Sequence, residues 1–572
     1  MAFISLAAGN SMKIFIMIRV CMGLFIFQCA VISCNTAKAQ SQPADTIRKE
    51  IPEVIITATR TPENPDSLGR SITVITADEI NQLQSNDLAQ LLSLQQGISI
   101  TGAGQNPGMT ETIFMRGTNS NHTLIMIDGV RMSDPSSVNG APDLAEIPVS
   151  GFDRIEIVRG SHSTLYGSSC IGGVINLITA GRQSPGFNTN ASLRSGVFGA
   201  NTFLLEENLH MNYSWKNGLY AGIDFFHNRV QGLDATIDTI TNPDAFKSFD
   251  HDHLSLLKAS GKIGFENSKW NLFATYGITD QKTDFDKAGW KYHNSFGANP
   301  QAYYDGDSNK IFTRRNLVTY GASRQVTPAI MLSFNGGFTS LSREVIEDSS
   351  VIDNAGTSDQ TYSYAGYSGK EMNHDLVMTA SLHNLKLIAG AGWSYESMTD
   401  TLAFFTNTFY GPFISASNID SLNLHADLYH VYLQAEANGG ILNRQLSALN
   451  LIAGMRYNHH TLFGDEISYE VNPFYHVTKE AMLYASFSSG FNAPSLYQLY
   501  SPESDYTSQI TRGNPDLKPE ISHSLEFGFK QQMKQFHWAV SVYSNIVKNE
   551  IEYVFLWDKD TPVDSIGNDF TL

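Results

Sequence analysis

The sequence predicts a membrane all-β protein in which a compact α+β domain precedes a large β-barrel. Three observations support this fold class. Beyond Ser33 the chain has no run of roughly 18 apolar residues, the length that suggests a membrane-spanning helix. Charged residues make up only 16% of the chain, while aromatic residues make up 11%. Polar and apolar residues alternate in several segments after residue 187, as they do in strands with one face in lipid.

The charge balance and the cysteine count exclude several functions. The net charge is −18, and the chain has no basic stripe that could neutralise nucleic acid phosphates. Three of the four cysteines, Cys21, Cys29 and Cys34, lie in the apolar N-terminal segment. Cys170 is then the only cysteine of the mature chain, so we expect neither an internal disulfide nor a thiolate metal site.

Residues 1–39 are similar to a secretory signal peptide. Basic residues precede a mostly apolar segment from Val20 to Ser33, and small residues precede Gln40, so we predict cleavage after Ala39. Two alternatives stay open. Cleavage at Cys34 would make a lipoprotein, and an uncleaved anchor helix would need about 20 apolar residues, which is longer than this segment.

Residues 40–63 form a polar linker that contains one short strand-like segment. This segment comprises Glu53, Val54, Ile55, Ile56, Thr57, Ala58, Thr59 and Arg60. Its composition favours a strand, but no partner strand lies nearby in the sequence. An unpaired strand near a terminus can pair with a strand of another protein, so the segment is a candidate docking site.

The α+β domain is predicted to span residues 64–182. Helices are expected over 77–83 and 87–96, the second of which Gly97 stops. Asp128-Gly129 predicts a tight hairpin, because this pair favours a two-residue turn. The predicted strands of this domain cover 71–75, 98–100, 113–115, 123–127, 130–132, 154–159 and 171–179.

The barrel is predicted to span residues 183–572. Apolar and polar residues alternate between Val431 and Ala437, and again from Leu449 to Arg456, where Ile452 interrupts the polar face. Tight turns are expected at 267–269 and 478–480, and long loops at 280–309 and 401–423. Short turns at one end and long loops at the other are typical of outer-membrane barrels. A large soluble β-sandwich or propeller is the alternative.

Ordered motifs in both domains resemble one protein family. In the α+β domain the motifs are Ile113-Phe114-Met115-Arg116-Gly117 and the segments 124–130, 155–160, 163–167 and 171–179. In this order they resemble the plug domain of the TonB-dependent outer-membrane receptors. The segments 489–496 and 513–520 are similar to the barrel signature of that family, and to its cobalamin-transporter branch in particular. The segment 53–60 then resembles the TonB box.

The resemblance implies a receptor and active transporter in the outer membrane of a Gram-negative bacterium, and not an enzyme. The plug sits inside a barrel of about 22 strands and blocks it. A ligand binds at the outer loops, and TonB, driven from the inner membrane, pulls the TonB box and loosens the plug. The sequence accordingly contains no phosphate-binding loop, no His-Glu-x-x-His motif and no nucleophile elbow.

The resemblance also implies ion pairs that hold the plug inside the barrel. Arg116 and Arg159 resemble the arginines of this plug–barrel lock, and Glu520 and Glu526 are the candidate barrel partners. Arginine and carboxylate side chains can pair bidentately in a sealed lumen. Separate local salt bridges are the alternative.

The transported ligand is expected to be cobalamin, with a ferric siderophore or haem as the alternative. A non-transporting surface barrel also stays open. The cobalamin branch binds calcium through acidic loops, and the candidate ligands here are Asp284, Asp286, Asp305 and Asp307. No other cofactor is required. His251 and His253 would suit a haem or metal site, although an exposed polar loop is the simpler interpretation.

The barrel is expected to be incomplete at its C-terminus. The alternation accounts for about 15–16 strands, whereas strand number in a barrel is set by closure. The final residues lack the terminal aromatic strand of the family. We therefore expect a C-terminally truncated chain, with a smaller natural barrel as the alternative.

Overall fold

The computed structural model describes residues 68–83, 85, 87–102, 105–197, 202–232, 252–285, 291–292, 300–301, 309–348, 361–408, 411–501, 504–506, 509–511, 513–532 and 537–552. The predicted signal peptide and the segment 53–60 lie outside these ranges. No helix within them is long and apolar enough to cross a membrane.

The first domain is built around a five-stranded sheet in the order β1-β6-β7-β4-β5. Among the described strands of this sheet only β4 and β7 run parallel, and β2 pairs with β3 in a separate two-stranded sheet. Its elements are β1 (Ile72–Thr76), α1 (Ala77–Leu83), α2 (Leu88–Ser93), β2 (Ile98–Thr101), β3 (Thr112–Met115), β4 (Thr123–Ile127), β5 (Val130–Arg131), β6 (Phe152–Arg159), α3 (Ser163–Tyr166) and β7 (Gly173–Thr179). Single 3₁₀ turns cover Ser120–His122 and Leu144–Glu146.

The hairpin of this domain forms at the predicted turn, but the second helix is shorter than predicted. Asp128 and Gly129 both have positive φ, and Ile127 pairs with Val130 across them. Helix α2 begins at Leu88 because Asp87 adopts an extended conformation and its side chain accepts a hydrogen bond from the Gln90 amide. The helix ends at Ser93, four residues before Gly97.

The core of the first domain lies between its sheet and its helices. Apolar side chains from α2, β6 and β7 meet there, and Leu88, Leu91, Leu92, Ile155, Ile157 and Ile175 are fully buried. Burial of an aliphatic side chain contributes about 1.5–3 kcal/mol relative to exposure. The domain is therefore a compact body with a core of its own.

Within the described residues, the second domain forms one antiparallel sheet of sixteen strands, in agreement with the predicted number of about 15–16. Its strands are β8 (Gly186–Val197), β9 (Phe203–Ser214), β10 (Leu219–Gln231), β11 (His253–Glu266), β12 (Trp270–Asp284), β15 (Lys310–Thr327), β16 (Ile330–Asp348), β17 (Thr361–Ser381), β18 (Leu385–Thr408), β19 (Gly411–Asn418), β20 (His425–Asn438), β21 (Leu449–His460), β22 (Gly464–His476), β23 (Ala481–Asn492), β26 (Glu520–Gln532) and β27 (His537–Lys548).

Sequential neighbours pair throughout this sheet, from β8 at one edge to β27 at the other. Strand β19 pairs with β18 but lies outside the continuous path that the other strands of the sheet follow. Within the described ranges, β8 and β27 are not paired with each other. The connections also contain two small hairpins, β13 (Lys291–Tyr292) with β14 (Pro300–Gln301) and β24 (Ser504–Tyr506) with β25 (Gln509–Thr511), and one short helix, α4 (Leu496–Tyr500).

The two faces of the barrel strands differ as the alternation predicts. On β20, Tyr432 and Gln434 are 4% and 2% exposed, whereas Val431 and Leu433 are 52% and 56% exposed. The buried face surrounds the α+β domain, and the exposed face carries the apolar side chains that a bilayer accommodates. The first domain therefore sits inside the second.

The long loops predicted at 280–309 and 401–423 are partly strands. Strand β12 continues to Asp284, and residues Thr401–Thr408 of β18 pair with β19. Residues 280–284 pair with β11 and β15 of the main sheet, and residues 401–408 pair with β19 and in part with β17, so their backbone groups are hydrogen-bonded. The tight turns predicted at 267–269 and 478–480 do join neighbouring strands.

A row of aromatic rings crosses the outer face of β15–β18. The rings of Tyr320 and Phe334 lie 6.2 Å apart, and His374 stacks between Phe334 at 6.0 Å and Trp393 at 5.5 Å. The Tyr320 hydroxyl also lies 2.6 Å from His374 Nε2. Aromatic belts of this kind mark the interfaces of outer-membrane barrels.

Candidate functional site

A cavity of about 90 Å³ lies between the first domain and the ends of the barrel strands that lead into the long connections. The hairpin β4–β5 reverses the chain, so that the following residues 133–142 form one wall. Residues 394–396 of β18 and 426–428 of β20 form the opposite wall, and residues 492–495 close one side. Long connections face the cell exterior in barrels of this kind, so the cavity lies on the outer side of the first domain.

The charged groups that line the cavity are mostly acidic. Glu371 on β17 and Glu396 on β18 are direct cross-strand neighbours, whereas the Asp427 carboxylate accepts a hydrogen bond of 2.8 Å from Trp393 of the outer face. Among the described residues that line the cavity, Arg131 is the one arginine or lysine, and its Nε lies 3.3 Å from Glu371. Its other guanidinium nitrogens donate to the carbonyls of Tyr166 and Ser168. Arg131 is therefore already paired, and the neighbouring carboxyl groups of Glu371 and Glu396 give the cavity an acidic lining.

Ion pairs join the first domain to the barrel around its circumference. Domain arginines meet barrel acids at Arg70–Glu470, Arg116–Glu526 and Arg131–Glu371, with N–O distances of 2.8, 2.6 and 3.3 Å, and His122 Nε2 lies 2.8 Å from Glu520. Domain acids meet barrel cations at Asp128–Lys262 (3.4 Å), Glu146–Arg315 (2.9 Å) and Asp134–Arg343. The cations come from β11–β16 and the acids from β17–β26, so the interface favours one orientation of the domain.

The lock residues predicted from the sequence are brought together only in part. Arg116 donates two hydrogen bonds to Glu526, of 2.6 and 2.9 Å, and its guanidinium lies 4.6 Å from the centre of the Tyr543 ring. The Tyr484 hydroxyl donates to the same carboxylate at 2.9 Å. Arg116 has a φ of 55°, a conformation that only surrounding contacts maintain in a residue of its size.

Arg159 and Glu520 do not have the predicted partners. Arg159 donates to the Gln96 carbonyl at 2.9 Å and to the Thr73 hydroxyl at 2.7 Å, so its hydrogen bonds stay within its own domain. Burial, and then the charge of Arg116, lower the pKa of Arg159 to about 10.

Glu520 accepts hydrogen bonds from Asn492 at 2.7 Å and from the Ile551 amide at 3.0 Å, and it contacts His122 instead of an arginine. The position of Glu520 on its strand explains why it does not meet an arginine. Glu520 is the first residue of β26, six residues before Glu526, and this distance along the strand separates it from both arginines.

Three further residues that join the first domain to the barrel at this place were not predicted from the sequence. Arg70 pairs with Glu470 at 2.8 Å, and its second terminal nitrogen lies 2.8 Å from His162 Nδ1. Arg70, Glu470 and His162 line the same small cavity as Arg116, Arg159 and Glu526. Glu470 follows the lumen-facing alternation of β22 with Ser468 and Asn472, but no sequence signal distinguishes it from other lumen carboxylates.

The calcium candidates lie mainly outside the described residues, as does the TonB box. Only Asp284 is described, and it lies 3.5 Å from His253 and 3.6 Å from Lys282. Within the described ranges, no three His, Cys, Asp or Glu side chains lie close enough together to hold a metal ion. Asp252, beside the histidines considered for haem, is 7% exposed and accepts a hydrogen bond from Asn106, so it belongs to the domain interface.

Two family descriptions match most of the chain. Residues 64–174 match the TonB-dependent Receptor Plug Domain, and residues 250–568 match the TonB dependent receptor-like beta-barrel. Among curated proteins, the vitamin B12 transporter BtuB of Vibrio cholerae is 25% identical over 525 residues, an alignment that covers 90% of this chain and 72% of that protein.

Solved structures share the fold at lower identity. A mutant of the ferric enterobactin receptor PfeA from Pseudomonas aeruginosa, in complex with enterobactin, superposes with a TM-score of 0.63 at 18% identity, covering 85% of this chain and 73% of that one. The siderophore receptor PirA of Acinetobacter baumannii gives 0.61 at 16% identity, with coverages of 84% and 71%. The ferric citrate transporter FecA gives 0.60 at 15% identity, with coverages of 84% and 70%.

Proposed function

This chain belongs to the TonB-dependent receptors, and from that premise we propose that it binds cobalamin at the cell surface and imports it into the periplasm. The family consists of outer-membrane receptors and transporters of Gram-negative bacteria, so the chain is an outer-membrane protein with a plug domain inside a β-barrel. The identity of the ligand is the proposed part. The 25% identity with a vitamin B12 transporter and the charge of the outer cavity support it.

The acidic lining of the cavity is the observation that carries the choice of ligand. Among the described lining residues, Glu371 and Glu396 outnumber the single, already paired Arg131. Ferric complexes of catecholates and citrate are anions, and a cavity of like charge repels them. Cobalamin carries primary carboxamides around its corrin ring, and these neutral groups donate hydrogen bonds to carboxylates. The cavity therefore favours an amide-bearing ligand over an anionic iron chelate.

The size of the cavity indicates how such a ligand binds. Its volume of about 90 Å³ is well below the ~300–1,000 Å³ of pockets that enclose small molecules. Only an edge of a large ligand fits between residues 133–142 and the strands. The remainder of the ligand then lies over the outer surface of the plug, against the long connections of the barrel.

Energy coupling is proposed to begin at the TonB box, residues 53–60. The outer membrane maintains no ion gradient, so the force that frees the plug has to come from the inner membrane through TonB. The plug–barrel ion pairs hold the plug in place in the resting state. A pull on the N-terminus would break them, and removal of one member of a buried pair typically costs about 3–5 kcal/mol.

Calcium is proposed to order the outer loops before the ligand binds. Asp284 and the three further acids Asp286, Asp305 and Asp307 are the proposed ligands. Calcium takes six to eight oxygen ligands, and carboxylates at alternate positions of a loop can supply several of them. Calcium would also reduce the repulsion among these acids.

Binding of three ligands to the purified full chain tests the proposed function. Titration calorimetry would compare cyanocobalamin, ferric enterobactin and haemin, each with calcium and with a calcium chelator. We expect cyanocobalamin to bind most tightly, and calcium to strengthen its binding. Tight binding of ferric enterobactin or haemin without cyanocobalamin binding would replace the proposed ligand by a siderophore or haem. Binding without TonB-dependent uptake would indicate a non-transporting surface barrel.

A further inference from the structure

The first described residues of the plug are held directly by the barrel wall. Leu68 is 4% exposed and packs in an apolar cluster with Ile452, Phe474, Met482 and Tyr484, which all belong to barrel strands. Lys530 on β26 donates a hydrogen bond of 3.0 Å to the Leu68 carbonyl. Residues 68–70, which we call the N-terminal latch, therefore dock on β21, β22, β23 and β26.

Gly69 lets the latch lie flat against the barrel. A Cβ atom at this position would come within 2.9 Å of the Phe474 side chain, closer than real contacts allow. The Arg70 amide also donates to the Leu68 carbonyl at 2.8 Å, which turns the chain towards β1. The latch is thus a defined structure with both backbone and side-chain contacts.

Arg70 links the latch to two separate parts of the lock. Arg70 is 4% exposed, and its guanidinium contacts Glu470 of the barrel and His162 of the plug, each at 2.8 Å. A guanidinium only donates, so His162 Nδ1 accepts this bond and the ring is neutral. Burial, and then the charge of Arg70, keep the pKa of His162 well below its usual range.

The residues directly after the latch hold Arg159. The Arg159 amide donates to the Ser71 carbonyl at 3.0 Å, and its guanidinium donates to the Thr73 hydroxyl at 2.7 Å. Arg159 in turn lies beside Arg116 and Glu526 in the lock cavity. Displacement of residues 68–73 therefore removes two partners from Arg159 and one from His162.

The latch lies where a pull on the N-terminus first meets folded contacts described in the structure. The TonB box ends eight residues before Leu68, a stretch that spans at most about 30 Å when fully extended. The strand that follows the latch, β1, is an edge strand of the plug sheet, whereas β5 forms the opposite edge. Tension from the N-terminus therefore reaches the latch, then β1, and only later the far side of the plug.

We propose that the N-terminal latch is the first plug–barrel contact to break when the N-terminus is pulled, and that Arg70 is the positioning residue that transmits its release to the lock. This inference rests on the proposed TonB-driven function. Opening is then sequential. Loss of Arg70–Glu470 frees His162, withdrawal of Ser71 and Thr73 frees Arg159, and the Arg116–Glu526 pair opens last.

Single-molecule pulling on the full chain in a lipid bilayer tests the order of opening. A handle within residues 40–52 applies the force, and the first rupture is recorded for the unmodified chain and for Arg70→Ala. The matched control is Arg315→Ala, which removes an equally buried plug–barrel pair, Arg315–Glu146, far from the latch. Glu470→Gln keeps the size of the side chain but removes its charge. Arg70→Lys keeps the positive charge but lacks the guanidinium that contacts two partners at once.

We expect Arg70→Ala and Glu470→Gln to lower or abolish the first rupture, Arg70→Lys to restore part of it, and Arg315→Ala to leave it unchanged. An unchanged first rupture in both latch variants, or an equal loss in Arg315→Ala, would overturn the proposal. Uptake of cyanocobalamin by the unmodified chain is measured separately. Absence of TonB-dependent uptake would contradict the proposed function, while the rupture order would still decide the latch.

Discussion

Arg116 of the plug and Glu526 of the barrel are joined by two hydrogen bonds, of 2.6 and 2.9 Å, inside the lumen. The two side chains are 4% and 8% exposed, so neither is solvated by bulk water. A buried bidentate pair fixes both distance and orientation. The positive φ of Arg116 places its side chain towards β26, and the pair therefore holds the plug in one register.

Glu526→Gln should weaken the plug–barrel contact by about 3–5 kcal/mol, because it leaves the Arg116 charge buried without a counter-charge. Thermal unfolding of the purified chain measures the loss. Tyr484→Phe is the matched control, since it removes one hydrogen bond to the same carboxylate but leaves the Arg116 charge paired, and it should cost less, about 1.5–3 kcal/mol. Equal effects of the two substitutions would contradict a special role for the charge pair.

Gly528→Ala should destabilise the same region by about 1–3 kcal/mol through overpacking. The Tyr484 ring lies over Gly528 of the neighbouring strand, and an added methyl group has no space there. Displacement of Tyr484 would also remove its hydrogen bond to Glu526. Gly261→Ala is the control, because nothing lies within 4 Å of a Cβ atom at that position. In thermal unfolding, Gly528→Ala should have a lower melting temperature than Gly261→Ala. Similar melting temperatures would argue against the steric explanation.

The plug should lose stability as the pH rises from about 5 to about 8. Burial, and then the charges of Asp87 and Asp143, raise the pKa of Glu111 to about 8. In this window the folded plug keeps a proton that the unfolded chain has released, so a rise in pH favours unfolding. Glu111→Gln should flatten this dependence and stabilise the plug at pH 8 by about 2 kcal/mol. Melting temperatures of the unmodified chain and of Glu111→Gln, measured from pH 5 to 9, test this prediction. The same pH dependence in both would contradict a role of Glu111.

Glu396→Lys should change the choice of ligand. The substitution reverses a charge next to Glu371 in the outer cavity, so it should weaken cyanocobalamin binding at least about tenfold and strengthen binding of anionic ferric enterobactin. Glu480→Lys makes the same charge change in a short turn at the opposite end of the barrel. Calorimetry on both variants measures the affinities. Identical effects would mean that overall charge, and not the cavity, controls binding.

Local patterns predicted much of the fold. The Asp128-Gly129 turn forms because both residues adopt positive φ, and the alternation around Tyr432 matches its buried and exposed faces. Ile452 interrupts the polar face of β21 for a reason that only the structure reveals. It is 2% exposed and packs on Leu68 of the plug, so an apolar residue is favoured on a lumen face at that point.

Contacts between distant parts of the chain could not be predicted in the same way. Arg70 and Glu470 are 400 positions apart, and neither lies in a motif that singles it out. Glu520 resembles a lock residue in sequence, yet its place at the start of β26 brings it to His122 instead. Pairing inside the lumen depends on the register of the whole sheet, which a local pattern does not contain.

Deletion of residues 53–60 tests the central claim most directly. Uptake of radiolabelled cyanocobalamin is measured in cells that lack their own cobalamin receptor and carry either the unmodified chain or the deletion, and surface binding is measured in parallel. The account predicts that uptake is abolished while binding is unchanged. Uptake that persists without residues 53–60 would contradict a TonB-driven transporter.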